Sequence, residues 1–190
     1  MQKRAVLAAT IAAALFLATG AVAQPAPASP KLDPNNTVYL DLTSGRVVIE
    51  LRPDLAPKHV ERVKLLCHEH FYDGTPFHRV IEGFMAQGGD PTGTGEGGSK
   101  YPNVPAEFSN VAKFVRGTVG AARASDPDSA NSQFYIMFAA NPGLDGQYTI
   151  WGQVVSGMQF VDKIKRGDGA NGMVTNPDKI VTMRLASEAK

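Results

Sequence analysis

Much of what covalent, redox or charge-driven chemistry requires is absent from this sequence. Cys67 is the only cysteine in 190 residues, so no intrachain disulfide can form. It lies in a helical pattern with no nucleophile signature around it and reads as a small core residue. No G-x-S-x-G occurs, which removes the commonest serine-hydrolase signature. Nineteen basic residues face eighteen acidic ones, for a net charge of +1. That balance offers no electrostatic footprint for nucleic acid. No internal repeat is visible. The longest apolar run, Ala5–Gly20, is interrupted by Thr10, Thr19 and Gly20, and a membrane span needs about 20 apolar residues.

Three short motifs are suggestive and fail on context. "CHEH" brings Cys67, His68 and His70 together. Metal ligands on a helix sit at i and i+4, whereas positions 68 and 70 point to different faces, and no second ligand cluster follows. "DPDSAN", Asp126–Asn131, lacks the glycine and the distal glutamate of a calcium loop and reads as a turn. "GTGEGG", Gly93–Gly98, matches the dinucleotide fingerprint literally, but "DPT" precedes it and a proline-containing segment follows, where a strand and a helix are needed. A flexible surface loop is expected there. Neither a metal nor a cofactor is expected.

What is present begins with a leader. Lys3 and Arg4, the apolar run and "AVA" at Ala21–Ala23 form a secretory signal peptide with cleavage after Ala23. Removing it leaves 17 basic against 18 acidic residues. Export to a bacterial periplasm is expected, with no membrane span after cleavage. Residues 24–35 are a Pro/Ala-rich tether, expected to be disordered, and residues 36–190 form one domain.

Within the domain, Val38, Leu40 and Leu42 alternate with more polar residues, "TSG" turns the chain, and "RVVIEL" follows, a β-hairpin pattern. Pro57 opens a helix with Val60, Val63, Leu66 or Cys67, and His70 or Phe71 on one face. Six further short apolar runs, at 77–81, 84–87, 117–121, 133–138, 149–154 and 180–185, bring the strands to eight. A second helix fits "SGMQFVDKIKRG", with Ser156 as N-cap, Met158, Val161 and Ile164 inward, and Gly167 as stop. Eight strands with two helices predict a mainly β fold: an eight-stranded antiparallel closed barrel capped by two α-helices.

Arg79 is anomalous, a guanidinium in the apolar run "FHRVIEGFMAQGGD". Read alone, it is a rim residue covering aromatic core with its stem. Together with "NSQFYI" and "LDGQYTIWG", however, this run closely resembles the signature segments of the cyclophilins, peptidyl-prolyl cis-trans isomerases, over about Thr37 to Leu185. The resemblance implies a catalytic role for Arg79, preceded by His78, and a positioning role for Gln87. It implies substrate contacts for His78, Phe84, Met85, Ala122, Gln133, Phe134, Leu144 and Tyr148, with Tyr135 as the second aromatic of its motif. The implied partners are proline-containing segments of unfolded or exported proteins, bound by a monomer. Gly143 stands where many family members carry a tryptophan, so weak cyclosporin binding is expected. A binding module that holds proline segments without turnover is the rival reading; the presence of Arg79, Phe84, Met85 and Gln87 favours the enzyme.

Overall fold

The computed structural model describes residues 31–189. The leader, and the tether up to residue 30, lie outside the described residues. Order begins before the expected end of the tether. Pro34–Asn36 forms a 3-10 turn because Asp33 accepts hydrogen bonds from the Asn35 N–H at 2.9 Å and from Asn36 Nδ2 at 2.7 Å, while proline fixes the first φ. Ser187 N–H donates to Pro34 O and ties the turn to the far end of the domain.

Strands β1 (Thr37–Leu42) and β2 (Gly45–Leu51) pair as the expected hairpin. Their alternation buries Val38, Leu40 and Leu42 beside Val47, Ile49 and Leu51, since successive strand side chains point to opposite faces. Helix α1 (Pro57–His68) lays Val60, Val63, Leu66 and Cys67 on this core. Phe71 packs against it just past the helix end, while His70 turns outward with φ 60°.

The remaining strands are β3 (Arg79–Ile81), β4 (Met85–Gly88), β5 (Thr118–Ala121), β6 (Phe134–Met137), β7 (Ile150–Ser156) and β8 (Ile180–Leu185). All eight form one antiparallel sheet in the order β3-β4-β6-β5-β7-β2-β1-β8. The sheet curls until its edges approach, but no ladder joins β3 to β8. The seam is bridged by one antiparallel pair, Pro76–Lys179, through Phe77 N to Asp178 O and Ile180 N to Thr75 O, with Gly74 N to Ile180 O beside it, at 2.8–2.9 Å. A three-residue β3 is too short to carry a full second ladder.

Helix α2 (Met158–Val161) is a single turn. Ser156 ends β7 rather than capping it; the cap position is Gly157, at φ 90°, a left-handed conformation that costs glycine little. Val161 and Ile164 are buried as expected.

The first turn of α1 is capped from far away in sequence. Ala56 supplies no side-chain cap, and the Glu107 carboxylate instead accepts from Lys58 N and His59 N, each at 3.0 Å, and lies 2.7 Å from His59 Nδ1. Burial pushes His59 below the ordinary imidazole value of 6.5, outweighing the pull of Glu107. Burial alone would raise Glu107, but His59 and the two N–H groups hold it below the ordinary 4.5. Both groups therefore have lower proton affinity folded than unfolded. Their contribution is full above about 6.5 for His59 and above about 4.5 for Glu107, and is lost as pH falls through the folded values. Urea denaturation between pH 7.5 and 4 is expected to show stability declining from about pH 6.5 downward, with Glu107→Ala losing about 1–2 kcal/mol at pH 7. A flat profile in the unmodified protein would contradict this.

Candidate active site

Antiparallel pairing of β3 with β4 sets Arg79 opposite Gln87, so their side chains share a face. Arg79 Nη1 donates to Gln87 Oε1 at 3.1 Å, and Arg79 Nε donates to the Asn171 carbonyl at 2.9 Å. Gln87 Nε2 donates to Gln133 Oε1 at 2.9 Å, and Gln133 Nε2 donates to the carbonyls of Gly95 and Gly97 at 2.9 and 2.8 Å. Amide polarity makes this a directional relay. The two glycine carbonyls can only accept, so the Gln133 NH2 faces them and its oxygen faces Gln87. Gln87 must then turn its own oxygen toward Arg79.

The "GTGEGG" loop is not the free surface loop expected from its composition. Asp90, fully buried, holds it from within. Its Oδ1 accepts from Thr92 N and Thr92 Oγ1, both at 2.8 Å, and its Oδ2 from Gly95 N at 2.7 Å and Gly97 N at 3.1 Å. Burial would raise this carboxyl, but those donors together hold it below its ordinary value.

Beside Arg79 lies a cavity of about 190 Å3. Phe84, Met85, Ala122, Tyr135, Leu144 and Tyr148 form its apolar wall, with Arg79, Gln87 and Arg123 at the polar rim. A cleft of about 590 Å3 adjoins it and shares Gln87, Ala122 and Arg123; Gln133, Asn131, Ser129 and Glu96 help to line the rest. Seven of the ten residues singled out from sequence thus meet at one cavity, and Gln133 stands in the next.

Two do not line either cavity. Phe134 points into the barrel core, edge-on to Tyr72, Phe77 and Trp151. Period-two alternation in β6 sends Phe134 and Ile136 to that core and Tyr135 and Met137 to the other face. Tyr135, not Phe134, is the aromatic of this motif at the cavity. His78 is 1 % exposed, and neither ring nitrogen has a hydrogen-bond partner. It lies beneath the glycine loop, its Nε2 3.6 Å from where a Cβ on Gly95 would sit. Burial lowers its pKa more than nearby Asp90 raises it, so it supports the loop as a neutral ring. Sequence reasoning also passed over Arg123 and Asn171; a carbonyl contact such as that of Asn171 leaves no signal in side-chain chemistry.

Tyr135 stacks on Phe114 at 5.9 Å and meets Tyr148 edge-on at 6.1 Å. Gly120 permits this, since a Cβ there would lie 2.6 Å from Tyr135 Cζ. The Tyr135 hydroxyl is buried without a partner, and burial raises its pKa far above the ordinary value. An unpaired buried hydroxyl costs about 1–3 kcal/mol. Tyr135→Phe is therefore expected to stabilise the fold by about 1 kcal/mol in urea denaturation, and a destabilised variant would show that the hydroxyl has a partner in solution.

The "CHEH" residues disperse. Cys67 is fully buried and its thiol is pushed up to about 12 by burial. His68 faces Glu188 and His70 faces Asp73 at the surface. Among the described residues no group of three or more His, Cys, Asp or Glu is gathered as metal ligands, and no helix is long and apolar enough to cross a membrane.

A curled eight-stranded antiparallel sheet with two helices, bearing an apolar cavity edged by two guanidinium groups and the Gln87 amide, defines the class of fold and site. The chain belongs to the cyclophilin-type peptidyl-prolyl cis-trans isomerases: the family profile "Cyclophilin type peptidyl-prolyl cis-trans isomerase/CLD" matches residues 37–185. A Brucella suis protein named "Probable peptidyl-prolyl cis-trans isomerase" is 55% identical over 194 residues, covering 95% of this chain and 96% of its own. A peptidyl-prolyl cis-trans isomerase of Helicobacter pylori is 40% identical over 135 residues, covering 70% and 83%. The crystal structure of a Hirschia baltica cyclophilin aligns with a TM-score of 0.74 at 28% identity, covering 84% of this chain and 77% of that one. A Cryptosporidium parvum cyclophilin crystallised in the presence of the dipeptide Ala-Pro aligns at 0.72 and 29%, covering 78% and 98%. The protein is an enzyme, a peptidyl-prolyl cis-trans isomerase of the cyclophilin type.

Proposed function

We propose that Arg79 accelerates isomerisation by donating a hydrogen bond to the proline nitrogen as the X-Pro bond twists. Rotation about a peptide bond is opposed by a resonance barrier of roughly 18–20 kcal/mol, and X-Pro isomers exchange in about tens to hundreds of seconds. At the twisted geometry the nitrogen loses conjugation and becomes a hydrogen-bond acceptor. A donor aimed at it binds the transition state better than either ground state. The observation that carries this reading is the setting of Arg79. Its Nε and Nη1 are fixed by neutral acceptors beside an apolar cavity, and among the described residues no ion pair includes it.

Phe84, Met85, Leu144, Tyr135 and Tyr148 hold the proline ring, and the shared rim leads its neighbours into the adjoining cleft. A thousandfold acceleration requires about 4 kcal/mol. A hydrogen bond to a charged group is worth about 1.5–3 kcal/mol, and exclusion of water from the planar, charge-separated amide contributes the rest. No covalent intermediate, metal or nucleotide enters. The leader supports action on exported proteins in a periplasm after cleavage between Ala23 and Gln24.

A protease-coupled proline-peptide assay on residues 24–190, with Arg79→Ala in parallel, tests the chemistry. N-terminal mass analysis of the exported protein tests the compartment, where a retained Met1 would overturn it. A Cβ at Gly143 would meet only Asn141 Oδ1, a side-chain atom, at 3.2 Å. Cyclosporin is expected to bind weakly and Gly143→Trp to tighten it about tenfold, as burial of part of an indole allows; titration calorimetry decides, and tight binding to the unmodified protein would overturn this.

A further inference from the structure

Arg123 lies on the ridge between the two cavities and lines both. Its guanidinium rests on the Tyr148 ring, 4.4 Å from the centroid. Nη1 donates to the carbonyls of Ala124 and Ser125 and Nη2 to that of Gln147, while Nε is buried with no partner. Every acceptor it has is neutral, and among the described residues it takes part in no ion pair. The nearest carboxylates along the chain, Asp126 and Asp128, are exposed, accept the backbone N–H groups of Asp128 and Ala106, and line neither cavity. The ionised groups facing the two cavities are Arg79, Arg123 and Glu96, and Glu96 lines only the larger cleft and is exposed.

We propose that Arg123 is a specificity-determining residue that favours proline segments carrying a carboxylate side chain beside the proline. The inference rests on the reading that the proline ring occupies the smaller cavity. An extended chain advances about 3.3–3.6 Å per residue, so a segment seated there carries its flanking residues across Arg123 into the larger cleft. A flanking Glu or Asp side chain meets a fixed, aromatic-backed and uncompensated cation; a flanking Lys is repelled by it. A purely structural role, clasping the turn at 124–125 to residue 147, would use the three carbonyl bonds and leave substrate charge without effect.

The test uses the mature chain and three-way sets of proline peptides with Glu, Gln or Lys at each position flanking the proline. Isomerisation is followed by exchange spectroscopy, so that no coupling protease adds its own preference. At one flanking position kcat/KM for Glu is expected to exceed that for Lys by about threefold to tenfold at low salt, the scale of a partly screened charge pair, and to shrink as ionic strength rises. The ratio is expected to fall to about one, as the charge is removed, in Arg123→Gln, and to survive in part in Arg123→Lys. Ratios near one at every position in the unmodified protein, or a ratio unchanged in Arg123→Gln, would overturn the proposal. So would an equal collapse in Glu96→Gln, which would assign selectivity to the total charge of the cleft. Should Arg123→Gln fail to fold, Arg123→Lys and the salt series still decide. Rates on the Gln peptide with and without Arg79 test the catalytic reading separately, because that comparison carries no flanking charge.

Discussion

Arg79→Ala is expected to turn over proline peptides about a hundredfold more slowly, the loss of one charge-assisted hydrogen bond of about 2–3 kcal/mol in the transition state. Its substrate affinity should change little, because the apolar wall of Phe84, Met85, Leu144 and Tyr148 is left in place. A fall in kcat at nearly constant KM is the signature of an interaction made only in the transition state. Arg79→Lys should recover little. An ammonium cannot donate at once to the Asn171 carbonyl, Gln87 and the substrate in the fixed planar fork that guanidinium provides. Phe84→Ala should instead weaken binding as well. Exchange spectroscopy on a proline peptide, with folding checked by circular dichroism, separates these patterns. Folded Arg79→Ala turning over at the unmodified rate would show the mechanism to be wrong.

Asp90→Asn is expected to cost about 2–4 kcal/mol of stability, because it places an NH2 group against N–H and O–H donors in a buried site and removes the charge they bind. Asp90 accepts four such bonds with no exposure to solvent. Its folded pKa lies below the ordinary 3.8, so its contribution is present above about pH 3.8 and is lost as pH falls through the folded value. Catalysis should suffer too, although Asp90 touches no cavity. Releasing Gly95 and Gly97 frees the carbonyls that dictate which way round the Gln133 amide lies, and through it the Gln87 oxygen that holds Arg79. The expected outcome is a lower urea midpoint together with a reduced kcat at similar KM. A variant of unchanged stability would contradict the network described.

The strands were legible because their signal is local. Apolar alternation in 38–42 and 46–51 and the short runs that follow mark all eight strands to within about two residues. Pro57 marks the start of α1. What was not legible depends on partners far along the chain. No pattern around Ala56 announces that Glu107 caps the helix fifty residues later. Composition alone made Gly93–Gly98 look free, since the buried carboxylate that pins it precedes it in an unremarkable "GGD". The exchange of Phe134 for Tyr135 is a register error of one: both are aromatic, and only the pairing of Gln87 with Tyr135 across β4 and β6 decides which one faces the cavity. Strand count does not reveal how the last two edges meet, which here is through the single antiparallel pair Pro76–Lys179 and not a full ladder.

The bridged seam bears on how such a protein avoids its own substrates. A sheet with free edges is a template on which any extended chain can add a strand, and extended chains are what this enzyme meets. Here the outer side of β3 is occupied by the turn at 167–174, through Val80 N to Gly172 O, Gly167 N to Val80 O and Val174 N to His78 O, and part of the outer side of β8 by Gly74 and Thr75. With those backbone groups already engaged, a passing polypeptide finds no free ladder there on which to add a strand, and the seam offers no seed for edge-to-edge aggregation.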